Sequence, residues 1–181
     1  MSTTEVGILD GRWQAADLSA ITGAPPLAGG LTAYLAPWGG INLAGIDRSG
    51  NVSVTWWVPE FGSQWLQSNL TAQFDAPQLR ADSLASYVTP WGGLNIVGMA
   101  ADRRPVVYWW VPGFNDRWEV SDIAVGLPAP PFRAQLEGVT TELGVINIVG
   151  AGDNGHVLRL WWRPDRDIWQ FQDLTAAAER W

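Results

Sequence analysis

The sequence predicts an all-β protein built from tandem four-stranded antiparallel repeats. Three observations carry this. Residues 37–59 (PWGGINLAGIDRSGNVSVTWWVP) and 90–112 (PWGGLNIVGMAADRRPVVYWWVP) are identical at 11 of 23 positions without a gap, and residues 142–164 (ELGVINIVGAGDNGHVLRLWWRP) match the second copy at 8 of 23. Within each copy, apolar residues alternate with a period of two, the pattern of strands. Gly (20) and Pro (12) interrupt the 181 residues at short intervals, which leaves little room for long helices.

The elements follow in order. RWQAADLS at 12–19 shares the pattern W-x-x-x-[DN]-[LI]-[STA] with QWLQSNLT at 64–71, RWEVSDIA at 117–124 and IWQFQDLT at 168–175, led by Trp13, Trp65, Trp118 and Trp169. This element is read as the fourth strand, d. The chain then divides into a leading strand d with its connector (1–30) and three repeats (31–75, 76–127, 128–181), all one structural unit. Strand a (Leu31 to Leu35, Leu84 to Val88) leads into the PWGG loop. Strand b follows, with Asn42, Asn95 and Asn147 at one position. Arg48-Ser49-Gly50 and Asp153-Asn154-Gly155 are turn signals. Strand c, Val52 to Val58, is β-branched and aromatic and stops at Pro59. Asp17, Asn69, Asp122 and Asp173 end strand d, where an Asx side chain closes a turn onto backbone N–H groups. Leu174 to Arg180 can form one helical turn.

A four-stranded antiparallel unit of about 50 residues in tandem is a β-propeller-type blade. A β-prism of three sheets about a pseudo-threefold axis is the alternative. In the second copy both faces of strand c are apolar (Val107, Trp109, Val111 against Val106, Tyr108, Trp110), as a sheet between two neighbours requires. In the third copy Arg159, Trp161 and Arg163 make one face basic. The first repeat is expected to leave a face open with apolar groups such as Leu35, Ile41, Val54 or Trp57. Two unpartnered faces of different character predict a homo-oligomer joined through its ends.

The composition excludes several partners. A net charge of −7 opposes binding to a phosphate backbone, so no nucleic acid is expected. No apolar run approaches a membrane span, so no membrane insertion is expected. Met1 to Asp10 is acidic and lacks a basic stretch followed by an apolar one, so no secretory signal is read there. Residence in the cytoplasm and excision from a larger exported protein both stay open. Cys is absent, which removes disulfides and thiolate chemistry. His156, the single His, falls at a turn and is expected to be solvated. No G-x-S-x-G, H-E-x-x-H or phosphate-cradling loop occurs. The chain is therefore read as not an enzyme, with no cofactor and no metal.

Thirteen Trp against five Phe is the outlying feature. Neighbouring strand residues point to opposite faces, so the two rings of a WW pair cannot share one pocket wall within a sheet. One ring of each pair is assigned to packing. The ligand-binding candidates are Trp56, Trp109 and Trp161 from the pairs, with Trp38 and Trp91 from the PWGG loops.

The string hydrophobic-Asn-hydrophobic-x-Gly, a Gly-containing turn, an apolar strand, WW, then W and a closing [DN]-L-[ST] covers residues 31–175. It resembles the Trp-rich blades of bacterial β-propeller lectins. The resemblance implies a non-enzymatic, lectin-like protein that takes fucosylated or O-methylated sugars in pockets between blades, with a glycan as partner. The family's rings carry more repeats than this chain. The other reading is a structural, self-assembling repeat protein that mediates protein–protein interaction.

Overall fold

The computed structural model describes residues 15–59, 62 and 64–180. Trp13 of the leading element lies outside the described residues. The strands form three four-stranded antiparallel sheets, each in sequence order. The first contains β1 (Leu27–Leu35), β2 (Ile41–Asp47), β3 (Val52–Trp57) and β4 (Trp65–Asn69). The second contains β5 (Ala85–Val88), β6 (Leu94–Met99), β7 (Pro105–Val111) and β8 (Phe114–Asp122). The third contains β9 (Phe132–Thr140), β10 (Ile146–Gly152), β11 (Val157–Trp162) and β12 (Trp169–Asp173). They are propeller-type blades: the sheets stack face to face, and the first strands β1, β5 and β9 lie beside one another. A Thr32–Ser86 side-chain bond of 2.7 Å and a 3.0 Å bond from the Thr140 hydroxyl to the Val88 carbonyl tie these inner strands together.

Two cores hold the stack. One joins the first and second sheets through Ile46, Val52, Val54, Leu70, Ile96 and Tyr108. The other joins the second and third through Val97, Met99, Val107, Phe132, Ile148 and Leu160. The middle sheet is therefore buried on both faces, as its unbroken apolar strand c requires. Val54 belongs to the first of these cores. The expectation that it lies on an open face is corrected: it shares a face with Trp56 and is covered by the second sheet.

The described d elements end at the Asx residue, as its turn-closing role requires. A short helix follows in three cases: α1 (Leu18–Thr22), α2 (Leu70–Gln73) and α3 (Leu174–Ala178). Asp17, Asn69 and Asp173 are the N-caps, accepting from Ala20, Ala72 and Ala176 N–H at 2.9–3.0 Å. Capping satisfies amide groups that a strand end would leave bare. Leu18 and Ser19 are thus helical, and strand d is not the state of that part of the leading element. The sequence pattern 16–31 also lies over the outer face of the first sheet. Ser53 and Thr55 on that face are buried beneath it, so this face is not the bare apolar surface expected, although Leu35 and Ile41 remain exposed. His156 is not simply solvated: its Nδ1 stands 2.8 Å from Asp173 Oδ2. Contact with His156 and the cap bond from Ala176 hold the Asp173 carboxyl below its ordinary range, the cap bond being the larger cause.

Strand b carries a glycine in each repeat because a large side chain from the start of strand a, or from the connector just before it, lies on it. Gly45 receives Leu27, Gly98 receives Leu79 and Gly150 receives Phe132. A Cβ at Gly98 would stand 2.7 Å from Leu79 Cδ1, and Leu79 is buried. Gly98→Val is expected to destabilise the fold by about 1–3 kcal/mol through overpacking, read as a lower thermal midpoint. An unchanged midpoint would show that the connector yields freely.

The three tyrosines in these cores make a second prediction. Tyr108 bonds Thr71 Oγ1 at 3.1 Å and donates to the Pro77 carbonyl at 3.2 Å, whereas the hydroxyls of Tyr34 and Tyr87 are buried with no partner among the described residues. Burial pushes both of these phenols well above the ordinary tyrosine range. Tyr108→Phe should cost about 1 kcal/mol, while Tyr87→Phe should be neutral or stabilising, since a buried orphan hydroxyl has only desolvation to lose. Because the folded-state value is raised, the linked stability is full below the unfolded value near 10 and is lost as pH rises beyond it. Alkaline unfolding should therefore move to higher pH in Tyr87→Phe.

Candidate functional site

The PWGG loops position the first site residues. In the first repeat Ala36 N–H bonds the Gly40 carbonyl at 2.8 Å and Gly39 N–H bonds the Ala36 carbonyl at 2.9 Å. Gly39 has φ 83° and Gly92 φ 84°, the left-handed state that lets a three-residue loop rejoin the ladder. The loop turns Trp38 towards the second sheet and Trp91 towards the third. Trp38 meets Trp110 edge-on at 5.2 Å and 72°, and Trp91 meets Trp162 at 6.0 Å and 59°.

Below each loop pair a cavity opens in the joint between sheets. The cavity between the first and second sheets holds about 480 Å³ and that between the second and third about 360 Å³. They correspond position for position. One wall is the inner face of the earlier sheet: Trp38, Asn42, Val54, Trp56 and Ser68 in the first cavity, Trp91, Asn95, Val107, Trp109 and Ser121 in the second. The other wall is the back of the next sheet: Leu94, Trp110 and Trp118, then Ile146, Trp162 and Trp169. Trp109 and Trp110 are neighbours on β7, yet each lines a different cavity. Strand alternation thus splits a WW pair between two successive joints.

The polar groups are few. Asn95, which is buried, donates through Nδ2 to the Gly93 carbonyl at 3.0 Å, which fixes the amide and turns Oδ1 to the opposite side. Among the described residues nothing donates to that oxygen. Trp109 Nε1 donates to Ser121 Oγ at 3.1 Å, leaving the serine proton to a further acceptor. The rims differ in charge. Arg117 borders the first cavity and bonds Glu119 at 2.8 Å. Ile168 takes the arginine's place before Trp169, and Asp167 borders the second cavity. Such a lining suits a ligand with one apolar flat face and hydrogen-bonding edges.

Four of the five candidate tryptophans thus fall in two cavities: Trp38 with Trp56, and Trp91 with Trp109. Trp161 stands apart on the outer face of the third sheet, where Arg159 Cζ lies 5.2 Å from its ring centroid. Sequence reasoning left out Trp110, Trp162, Trp118 and Trp169, which supply the opposite walls. Their recurrence at the repeat offset was the available signal. Among the described residues, no group of three or more His, Cys, Asp or Glu is placed to hold a metal ion.

No protein-family model matches the sequence, and no curated protein matches it. Solved structures do. The chain is similar to a fucose lectin from Kordia zhangzhouensis, solved in complex with methyl-fucoside, with a TM-score of 0.52 and 17% identity over 79% of this chain and 97% of that one. It is similar to AofleA from Arthrobotrys oligospora, with a TM-score of 0.60 and 16% identity over 78% of this chain. A variant of AofleA with three arginines replaced by alanine gives 0.61 and 14% over the same share. The chain spans 40% of the length of AofleA. At these identities the likeness shows a shared fold, the β-rich fold of those proteins.

Proposed function

We propose that the chain is a lectin-type carbohydrate-binding protein whose sites are the cavities between sheets. The observation that carries this reading is the repetition of one binding chemistry at both joints. Each cavity pairs the ring of Trp56 or Trp109 with a second wall of indoles and with an asparagine and a serine. Indole faces stack on the C–H face of a pyranose, and the amide and hydroxyl meet its edge. The likeness in fold to a structure described as a fucose lectin bound to methyl-fucoside supports a sugar as the ligand. The apolar floor (Val54, Val107) favours a deoxy or O-methylated sugar over a fully hydroxylated one, since unpaired hydroxyls would lose water there without compensation.

A screen of immobilised glycans should show saturable binding to fucosylated or methylated sugars. Indole fluorescence should shift in titration with the sugars that score. Trp91, exposed to 40%, closes the second cavity without belonging to either core. Trp91→Ala should weaken binding there about tenfold, the loss of roughly one good contact, with little change in thermal midpoint. Equal loss of binding and fold would place Trp91 in packing instead.

Assembly through the ends is the second reading. It rests on the front of the third sheet, one half of the joint that recurs inside the chain, carrying no covering segment among the described residues, whereas the back of the first sheet lies under residues 16–31. The end positions are polar, with Ser53, Thr55 and Gln67 on one and Arg159 and Gln172 on the other, where internal joints carry Val106, Tyr108 and Val120 or Val107 and Ser121. Sedimentation should show a mass above one chain, reduced by joint replacement of Arg159 and Arg163 by Glu. A single-chain mass at micromolar concentration would end this reading.

A further inference from the structure

The third sheet repeats the wall that faces the ligand cavity in the first two. Asn147 takes the place of Asn42 and Asn95, and Trp161 that of Trp56 and Trp109. Gln172 takes the place of Ser68 and Ser121. Two positions change character: Leu143 stands where the others have the loop indoles Trp38 and Trp91, and Arg159 stands where they have Val54 and Val107.

Its side chain does not run out to solvent. Nε donates to Asn147 Oδ1 at 2.7 Å, Nη1 donates to Gln172 Oε1 at 3.3 Å, and the guanidinium carbon lies 5.2 Å from the centroid of Trp161. The asparagine is held as Asn95 is, by an Nδ2 bond to the carbonyl two residues earlier, here Val145 at 3.2 Å. The two amides thus present the same oxygen in the same direction. At Asn147 that oxygen is taken by Arg159, and at Asn95 it faces a cavity and accepts nothing among the described residues. Arg163 and Asp165 flank the third position as a closed ion pair at 2.7 Å and do not compete for Asn147.

We propose that Arg159 is a built-in occupant of the third copy of the site. This rests on the lectin reading above and deepens it in two ways. The chain presents two open sugar sites rather than three. The contacts of Arg159 also mark those of the ligand in the open sites: a flat face on the ring of Trp109, a hydroxyl donating to Asn95 Oδ1, and a second polar edge at Ser121. Asn95 and Ser121 are then the residues that select the sugar, by demanding a hydroxyl donor placed beside an apolar face. A sugar methylated or deoxygenated at the hydroxyl that meets Asn95 is rejected, because the amide oxygen, once covered by the sugar, would stay unpaired.

Fluorine NMR of the whole chain labelled with fluorotryptophan tests this. Resonances are assigned by single Trp→Phe changes, and methyl-fucoside and its mono-O-methyl ethers serve as probes. In the wild type Trp56 and Trp109 should respond and Trp161 should not. Asn95→Ala should weaken the Trp109 response about tenfold, as expected for one lost hydrogen bond, and leave that of Trp56 unchanged. Arg159→Val should shift Trp161 before any sugar is added. A Trp161 response in the wild type, or a Trp109 response indifferent to Asn95→Ala, would overturn the proposal while leaving the lectin reading in place. Silence of every tryptophan towards all the sugars would overturn both. Thermal midpoints measured in parallel separate loss of a contact from loss of fold.

Discussion

A four-stranded sheet with apolar residues on both faces cannot stand alone in water. That constraint shapes this molecule more than any single bond. The middle sheet meets it with a neighbour on each side, through Tyr108 and Ile96 on one face and Val107 and Val97 on the other. Other features serve this stacking. The connector from the first sheet to the second lays Leu79 on the strand-b glycine Gly98. The first strands are bound by hydroxyls rather than by a shared ladder, so the sheets stay separate and can splay. The cavities lined by the tryptophans open between these separate sheets.

The end sheets obey the same constraint by other means. On the first, residues 16–31 cover Ser53 and Thr55, and the helix that follows Asp17 takes part in that cover. On the third, the apolar demand is lowered by composition. Glu137, Arg159 and Gln172 replace residues that are apolar or small at the internal joints, and Arg159 spreads over Trp161, shielding the indole while keeping its own charge partly hydrated.

Much of this was legible from residues alone. The two-residue alternation of Val52 to Val58 assigns Val54 and Trp56 to one side and Trp57 to the other, and the register of β3 with β2 and β4 agrees. The recurring Asx at the end of strand d pointed to amide capping, which Asp17, Asn69 and Asp173 carry out. Alternation, however, has no sign. It says that Val54 and Trp57 part company but not which of them meets a neighbour, and Val54 was placed on the wrong side of that choice. Nor can a local pattern show that Trp38 reaches Trp110, because that contact depends on how two sheets are offset. The bond between His156 and Asp173 joins the turn before β11 to the end of the neighbouring β12, and it depends on the register of that pair, which neither local sequence states.

The division of each WW pair between two joints has a consequence for how such a chain can change over generations. A repeat does not carry a site; it carries the front half of one and the back half of another. Duplicating a repeat therefore adds a complete cavity at the new boundary without altering a residue, and deleting one removes a cavity while re-mating halves that never met before. Copy number and the number of cavities move together, one for one. A substitution in strand c, by contrast, can retune a single cavity and leave its neighbours as they were. A lineage built this way can alter how many cavities it holds and how each is lined by two independent kinds of mutation.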